Sequence, residues 1–246
     1  MIRFILAIIV VAIYFILSLP LLLIFSLVRL ISPRAAVCAL QRIVGIVCRI
    51  VLLIAGTRVT TIGREKVPDG EAMLYVANHQ SIIDTLIPLT QLQPPYGYIA
   101  KDNLGRIPVL SWNMRFLSCL FLDREDLRQG LEVIKAAIEL VKNGTSVFIY
   151  PEGTRNKGND ETVLLPFHRG SFKIAQRTGC KIVPIAFNNV DAVFERQFPK
   201  LKKAHVIVEY GDPVAYGDLT KEEQKHIDEY FRDKITEMVK RNHALI

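Results

Sequence analysis

The stretch "DLRQGLEVIKAAIELVKNGTSVFIY", residues 126–150, decides the fold. Its apolar residues recur at helical spacing and stop at Asn143-Gly144, a strong helix-ending pair. The next six residues, 145–150, read as a strand buried on both faces. A helix leading straight into such a strand is the repeating unit of an α/β sheet.

The same alternation continues in both directions. Residues 57–63 and 72–78 are β-branched and apolar, parted by the turn signal Pro68-Asp69-Gly70. Residues 96–100 and 118–123 are two more candidate strands. Beyond the central unit come a helix over 168–178 ended by Gly179, strands at 181–187 and 204–210, and a charged helical segment over about 220–241 that begins at Thr220. The prediction is an α/β domain over residues 56–246, with a mixed, largely parallel sheet flanked by helices. No repeat or low-complexity tract interrupts it.

Residues 1–55 differ in composition and predict a helical membrane anchor. From Phe4 to Val28 there are 25 residues without a charge, more than the ~20 that cross a bilayer core as a helix. The main rival is a signal peptide, whose apolar region is only about 7–15 residues long. Pro20 is expected to kink the helix. A second apolar stretch, residues 35–55, carries Gln41, Arg42 and Arg49. Seven residues make about two helical turns, so the two arginines share one face, the pattern of a helix lying at the interface. Arg29, Arg34, Arg42 and Arg49 all follow the first stretch, which places the remaining chain in the cytoplasm. Whether the first helix spans the membrane or folds back beside the second stays open.

The net charge of +7 favours an anionic partner, whether a phosphate-bearing substrate, a lipid surface or a nucleic acid. Cys38, Cys48, Cys119 and Cys180 stand in apolar surroundings without ligand spacing and read as buried thiols in a reducing compartment.

Two loops carry the chemistry. In "NHQSIID", residues 78–84, a histidine follows a strand and an acid follows it by five positions. Ser81 and Asp84 fit a variant capping box, which alone leaves His79 an ordinary loop residue. Within one helix, His79 and Asp84 would point about 140° apart. They meet only if His79 lies in the turn ahead of the helix, which Ser81 as N-cap provides. Asp84 would then fix the imidazole tautomer, and the other ring nitrogen would act as general base. The remaining histidines are scattered, so no metal is expected. There is no G-x-S-x-G elbow. The base is therefore expected to deprotonate the substrate's own hydroxyl, without a covalent enzyme intermediate.

In "FIYPEGTRNKG", residues 148–158, Pro151 ends a strand, Gly153 permits close approach, Thr154 offers a hydroxyl and Arg155 a fork for phosphate or carboxylate. Glu152 is expected to orient Arg155 or a substrate hydroxyl. A plain surface turn with a local ion pair is the alternative. Lys101 and Arg124 also end strands. If the strands are parallel, His79, Lys101, Arg124 and Arg155 converge on one sheet edge, where α/β domains bind ligands.

These motifs resemble the glycerolipid acyltransferases. "NHQSIID" is similar to their NHxxxxD motif and "YPEGTRN" to FPEGTRS, with Tyr150 and Asn156 as departures. "FLDRED", residues 121–126, resembles their arginine block, and "IVPIAF", residues 182–187, their later proline block. The pattern also holds across 165–179, with Lys181 where members often carry proline. Length, anchor and motif wording look most like bacterial 1-acyl-glycerol-3-phosphate acyltransferases. The resemblance implies transfer of a fatty acyl group from acyl-CoA or acyl carrier protein to the sn-2 hydroxyl of lysophosphatidic acid, giving phosphatidic acid. It implies His79 and Asp84 as the catalytic dyad, and Lys101, Arg124, Glu152, Gly153, Thr154 and Arg155 around the phosphate. It gives Pro184 a structural or acyl-side place, and requires no cofactor beyond the thioester co-substrate. The expected location is the bacterial inner membrane with the catalytic domain on its cytoplasmic face. Two alternatives stay open: an acyltransferase acting on another lysolipid or on glycerol-3-phosphate, and a non-catalytic module that binds anionic lipid. Nucleic acid is not an expected partner, because the basic residues lack interleaved aromatics.

Overall fold

The computed structural model describes residues 1–246. The alternation read from the sequence is realised as eight strands and eight helices. In chain order they are α1 (Ile2–Ile31), α2 (Pro33–Ala55), β1 (Thr57–Ile62), β2 (Leu74–Ala77), α3 (Ile83–Gln91), β3 (Tyr96–Lys101), α4 (Pro108–Phe116), β4 (Leu120–Leu122), α5 (Leu127–Lys142), β5 (Ser146–Ile149), α6 (Lys173–Thr178), β6 (Lys181–Asn188), β7 (Ala204–Tyr210), β8 (Val214–Ala215), α7 (Lys221–Lys225) and α8 (Ile227–His243). The strands form one sheet in the order β1-β7-β6-β2-β5-β3-β4, with β8 beside β6. The run β6-β2-β5-β3-β4 is parallel throughout. β7 and β8 lie antiparallel to β6, and β1 pairs with β7 in parallel, so the sheet is mixed.

Alternate residues of the strands feed two cores. Tyr75, Ala77, Phe148, Val183, Ile185 and Phe187 pack with α3 and the end of α2. Leu74, Val76, Val147, Ile149, Ile182 and Ala186 pack with α5, α6 and α8 on the opposite face. The deciding stretch behaves as its sequence requires. The Asp126 carboxylate accepts from the Arg128 and Gln129 amides at the start of α5, and Gly144 takes a φ of 79° just beyond its end.

Local details differ from the sequence reading. The helix expected over 168–178 is a 3-10 turn, Arg169–Phe172, running into α6. The C-terminal segment breaks at His226 into α7 and α8. α4 has no counterpart among the sequence expectations. Proline at its first turn is pre-set for a helix, but the buried Ser111 and Asn113 hide its inner face from any hydrophobic count. Of the four free cysteines Cys48 is buried, and Cys38, Cys119 and Cys180 are partly buried.

The two N-terminal helices pack against the domain as well as against each other. α1 and α2 are both long and apolar enough to cross a membrane. α2, however, buries Ala36, Val37 and Leu40 against Phe116 and Leu117, and buries Leu52 and Ala55 in the larger core. Arg49 turns to the domain and donates to the carbonyl of Thr90, near the end of α3, while Arg42 stays exposed. α1 touches the domain at both ends and in its middle. Phe4 stacks on Phe194 with ring centres 5.6 Å apart. Arg29 lies over the Phe116 ring. The Tyr14 hydroxyl donates to Asn113, whose amide donates to the buried Ser18 hydroxyl. Most other large apolar residues of α1 are exposed.

Candidate active site

β2 ends at Ala77, and Asn78 completes its pairing with a side chain. The Asn78 amide donates to the Phe187 carbonyl at 2.9 Å and its oxygen accepts the Phe187 N–H at 2.8 Å. The chain then leaves the sheet at His79, whose main chain is held at two points by the loop after β5. The His79 N–H donates to Glu152 Oε1 at 2.8 Å, and the His79 carbonyl accepts the Asn156 N–H at 2.7 Å.

The His79 ring lies between two further constraints. It stacks on Tyr150 with centres 4.1 Å apart. Its Nδ1 is 3.0 Å and 3.2 Å from the two oxygens of Asp84. Asp84 is completely buried, and its Oδ2 also accepts the N–H groups of Gln80 and Ser81, each at 2.8 Å. A carboxylate with three donors around it is an acceptor only, so the imidazole carries its proton on Nδ1 and a lone pair on Nε2. Nε2 has no partner in the chain, and the ring is 17% exposed. The meeting depends on His79 preceding the helix, as the spacing argument requires. The cap is one residue offset from expectation. α3 starts at Ile83, and the Ser81 hydroxyl accepts from the Ile83 N–H rather than from the third helical residue.

Glu152 does other work than the sequence suggests. It faces neither Arg155 nor open space. Its carboxylate is buried, with Oε1 on the His79 amide and Oε2 on the Leu165 amide. Burial pushes its pKa up to about 7, opposed by the two amides it accepts from. It is a brace between the two motif loops. Nothing in the sequence distinguishes a carboxylate aimed inward from one aimed at a ligand.

The strand ends put Lys101, Arg124 and Arg155 on the same edge as His79. The strand before Arg124 lies three places from β2, about 14 Å at ordinary strand spacing. Arg124 is exposed but leans back, so that its Cδ comes within 4.0 Å of where a β-carbon on Gly153 would sit. Partial burial lowers its pKa, opposed by the Asp102 carboxylate. Lys101 and Thr154 are exposed and make no side-chain hydrogen bond within the chain. Gly153 has a φ of 70°, and a β-carbon there would lie 2.9 Å from Nε2 of His168. Arg155, half exposed, turns the other way and pairs with Glu195 at 3.1 Å.

Several residues at this edge carry no sequence signal. His168 packs over Gly153 although its position in the chain suggests no site. Glu195 sits in the long β6–β7 connection among basic residues, yet accepts from the Ser81 hydroxyl and the Ile82 amide as well as from Arg155. Tyr150, a departure within its motif, has a buried hydroxyl beside Asp84 that makes no well-formed hydrogen bond. Burial and the Asp84 charge raise its pKa well above 10, so it stays neutral.

The arrangement has known counterparts. The sequence model of the family described as "Acyltransferase" matches residues 58–188. A 1-acyl-sn-glycerol-3-phosphate acyltransferase of Helicobacter pylori is 31% identical over 67% of this chain and 72% of its own length. One of Borreliella burgdorferi is 28% identical over 76% of this chain and 74% of its own. A chloroplastic one of Brassica napus is 41% identical, but the match covers 50% of this chain and only 35% of that longer protein. The chain thus spans about a third of the Brassica relative's length. The crystal structure of the 1-acyl-sn-glycerophosphate acyltransferase PlsC of Thermotoga maritima superimposes with a TM-score of 0.82 over 99% of this chain and 95% of that one, at 23% identity. At that identity the likeness concerns the fold.

Proposed function

This chain belongs to the acyltransferase family, and from that premise we propose that it moves a fatty acyl group from a thioester to the free sn-2 hydroxyl of 1-acyl-glycerol-3-phosphate, giving phosphatidic acid. The observation that carries the reading is the His79 ring, fixed by Asp84 through Nδ1 and stacked on Tyr150, with Nε2 left open at the sheet edge that also carries Lys101, Arg124 and Arg155.

In this mechanism Nε2 takes the proton of the acceptor hydroxyl as its oxygen attacks the thioester carbonyl. Asp84 stabilises the imidazolium that forms. The tetrahedral intermediate collapses by breaking the carbon–sulfur bond, and the imidazolium returns its proton to the departing thiolate. No acyl-enzyme is required. The Ser81 hydroxyl is already engaged by Ile83 and Glu195. Burial pushes the thiol of Cys119 up to about 11, too high for a nucleophile at neutral pH. Lys101, Arg124 and Arg155 supply positive charge for the acceptor phosphate, with Thr154 and the Gly153 turn between them. Glu152 holds His79 from behind.

The acceptor and product are membrane lipids, and the exposed apolar length of α1 suits that location. Because α1 meets the domain at both ends and in its middle, the reading has both helices lying in one leaflet. They would hold the domain against the cytoplasmic face of a bacterial inner membrane. The donor is acyl-CoA or acyl carrier protein. The test is purified protein in detergent micelles with labelled acyl-CoA or labelled acyl-acyl carrier protein and a panel of lysolipids and glycerol-3-phosphate. The reading expects label to appear mainly in phosphatidic acid. Label mainly in another product, or none with either donor, refutes it.

A further inference from the structure

The anion position in front of Arg155 already holds an anion. Glu195 Oε1 lies 3.1 Å from the Arg155 guanidinium and 2.9 Å from the Ile82 N–H, while its Oε2 accepts from the Ser81 hydroxyl. One carboxylate thus gathers a guanidinium, a hydroxyl and a main-chain amide. All three belong to the two loops that carry His79 and Arg155. They are the donor types that grip phosphate oxygens.

The segment that delivers Glu195 is seated in the core by apolar packing, but Glu195 is hydrogen-bonded to the motif loops by its side chain alone. Every other hydrogen bond of residues 190–203 closes within that segment. Examples are Arg196 to Asp191, Gln197 to Ala192 and the Lys202 amide to Val193. Val190 and Val193 are fully buried in the larger core, with Phe194 and Leu201 packed against it, and Phe194 also stacks on Phe4 of α1. Beyond Glu195 the chain exposes Phe198 and a run of basic residues, Lys200, Lys202 and Lys203. Turning the Glu195 side chain away, with the segment's backbone left in place, therefore breaks hydrogen bonds only at the anion position.

We infer that Glu195 is a built-in competitor for the acceptor's phosphate: its carboxylate occupies the Arg155–Ser81–Ile82 position in the free protein, and a phosphomonoester must displace it to bind. The inference rests on the reading of Arg155 as a phosphate contact. A phosphomonoester at neutral pH carries close to two negative charges and three acceptor oxygens against one charge and two oxygens for the carboxylate. It therefore wins the position, whereas a neutral headgroup does not. Glu195 makes acceptor affinity lower than the cations alone would give, and ties occupancy of the position to phosphate charge.

The experiment measures acceptor KM and inhibition by inorganic phosphate for the wild type, Glu195→Gln, Arg155→Ala and the double variant. Glu195→Gln keeps the side chain's size and removes its charge. The expected result is a fall of about fivefold in acceptor KM and in the phosphate inhibition constant, the order of one exposed charge pair, with donor KM unchanged. In the Arg155→Ala background the same substitution is expected to change neither. Glu195→Asp, too short to span Ser81 and Ile82 together, is expected to fall between wild type and Gln. An acceptor KM that rises or stays constant in Glu195→Gln overturns the inference and leaves Glu195 as a brace for the His79 loop. If Arg155→Ala also leaves acceptor KM unchanged, the assignment of Arg155 to the phosphate fails with it. If Arg155→Ala raises KM while Glu195→Gln does not lower it, only the competitor role is lost.

Discussion

Replacing Asp84 by asparagine tests the dyad with little change of shape. Asp84 presents two oxygens to three donors: Nδ1–H of His79, and the Gln80 and Ser81 amides on Oδ2. Asparagine keeps one oxygen. If that oxygen stays with the two amides, its NH2 group faces Nδ1 and donates to it. The imidazole proton then moves to Nε2, and the lone pair needed for proton abstraction disappears. If the amide turns over, two main-chain N–H groups face an NH2, each losing a buried hydrogen bond at about 1–3 kcal/mol. The first arrangement is less costly and is catalytically the wrong tautomer. The same substitution in a serine protease triad, a general precedent, lowers kcat by about 10⁴. For Asp84→Asn we expect kcat to fall by about 10³–10⁴, roughly 4–5 kcal/mol of barrier. Both KM values should stay within a factor of about three, because neither substrate touches Asp84 directly. Thiol release from an acyl thioester in the presence of acceptor, measured with purified protein in micelles, reads this. A variant that retains more than a tenth of wild-type kcat, with a normal melting temperature, refutes the tautomer argument.

Three further outcomes are expected. Arg155→Ala should raise acceptor KM by about tenfold to a hundredfold, the worth of a charged hydrogen bond, without altering donor KM; steady-state kinetics with each substrate varied in turn will read it. Gly153→Ala forces a β-carbon into a φ of 70° against the His168 ring. Because that ring is exposed and can swing aside, the cost should be about 1–2 kcal/mol, a melting-temperature drop of a few degrees in detergent. Glu152 has its pKa raised from 4.5 to about 7, so its neutral form is favoured on folding. Its stabilising contribution is complete below about pH 4.5 and is lost as pH rises through 7, at most on the order of 3 kcal/mol. Glu152→Gln should flatten the pH dependence of melting between pH 5 and 8, and an unchanged slope would remove Glu152 as its source.

The parallel core of the fold is legible because each strand there is a short apolar run closed by a turn or cap residue. Asn143-Gly144 and Gly179 both mark ends where the structure has them. The antiparallel turn of β7 against β6 is not legible, since a strand buried on both faces reads alike in either direction. α4 is missed because its inner face is polar, with Asn113 reserved for Tyr14 and Ser18 of α1. In the site, the five-residue spacing of His79 and Asp84 carries geometric information, and their meeting follows from it. Glu152, Glu195 and Asn156 act through contacts with residues distant in sequence, so local pattern cannot assign their partners. α2 shows the same limit on a larger scale. Its composition separates it from the domain, whereas Leu52 and Ala55 lie in the domain's core.

The central claim is that the His79 imidazole removes the acceptor's proton. The most direct measurement is kcat for acyl transfer to lysophosphatidate by His79→Ala, with the wild-type fold verified by melting. A fall of at least about 10²-fold is expected from loss of the general base; a rate within tenfold of wild type would contradict the claim.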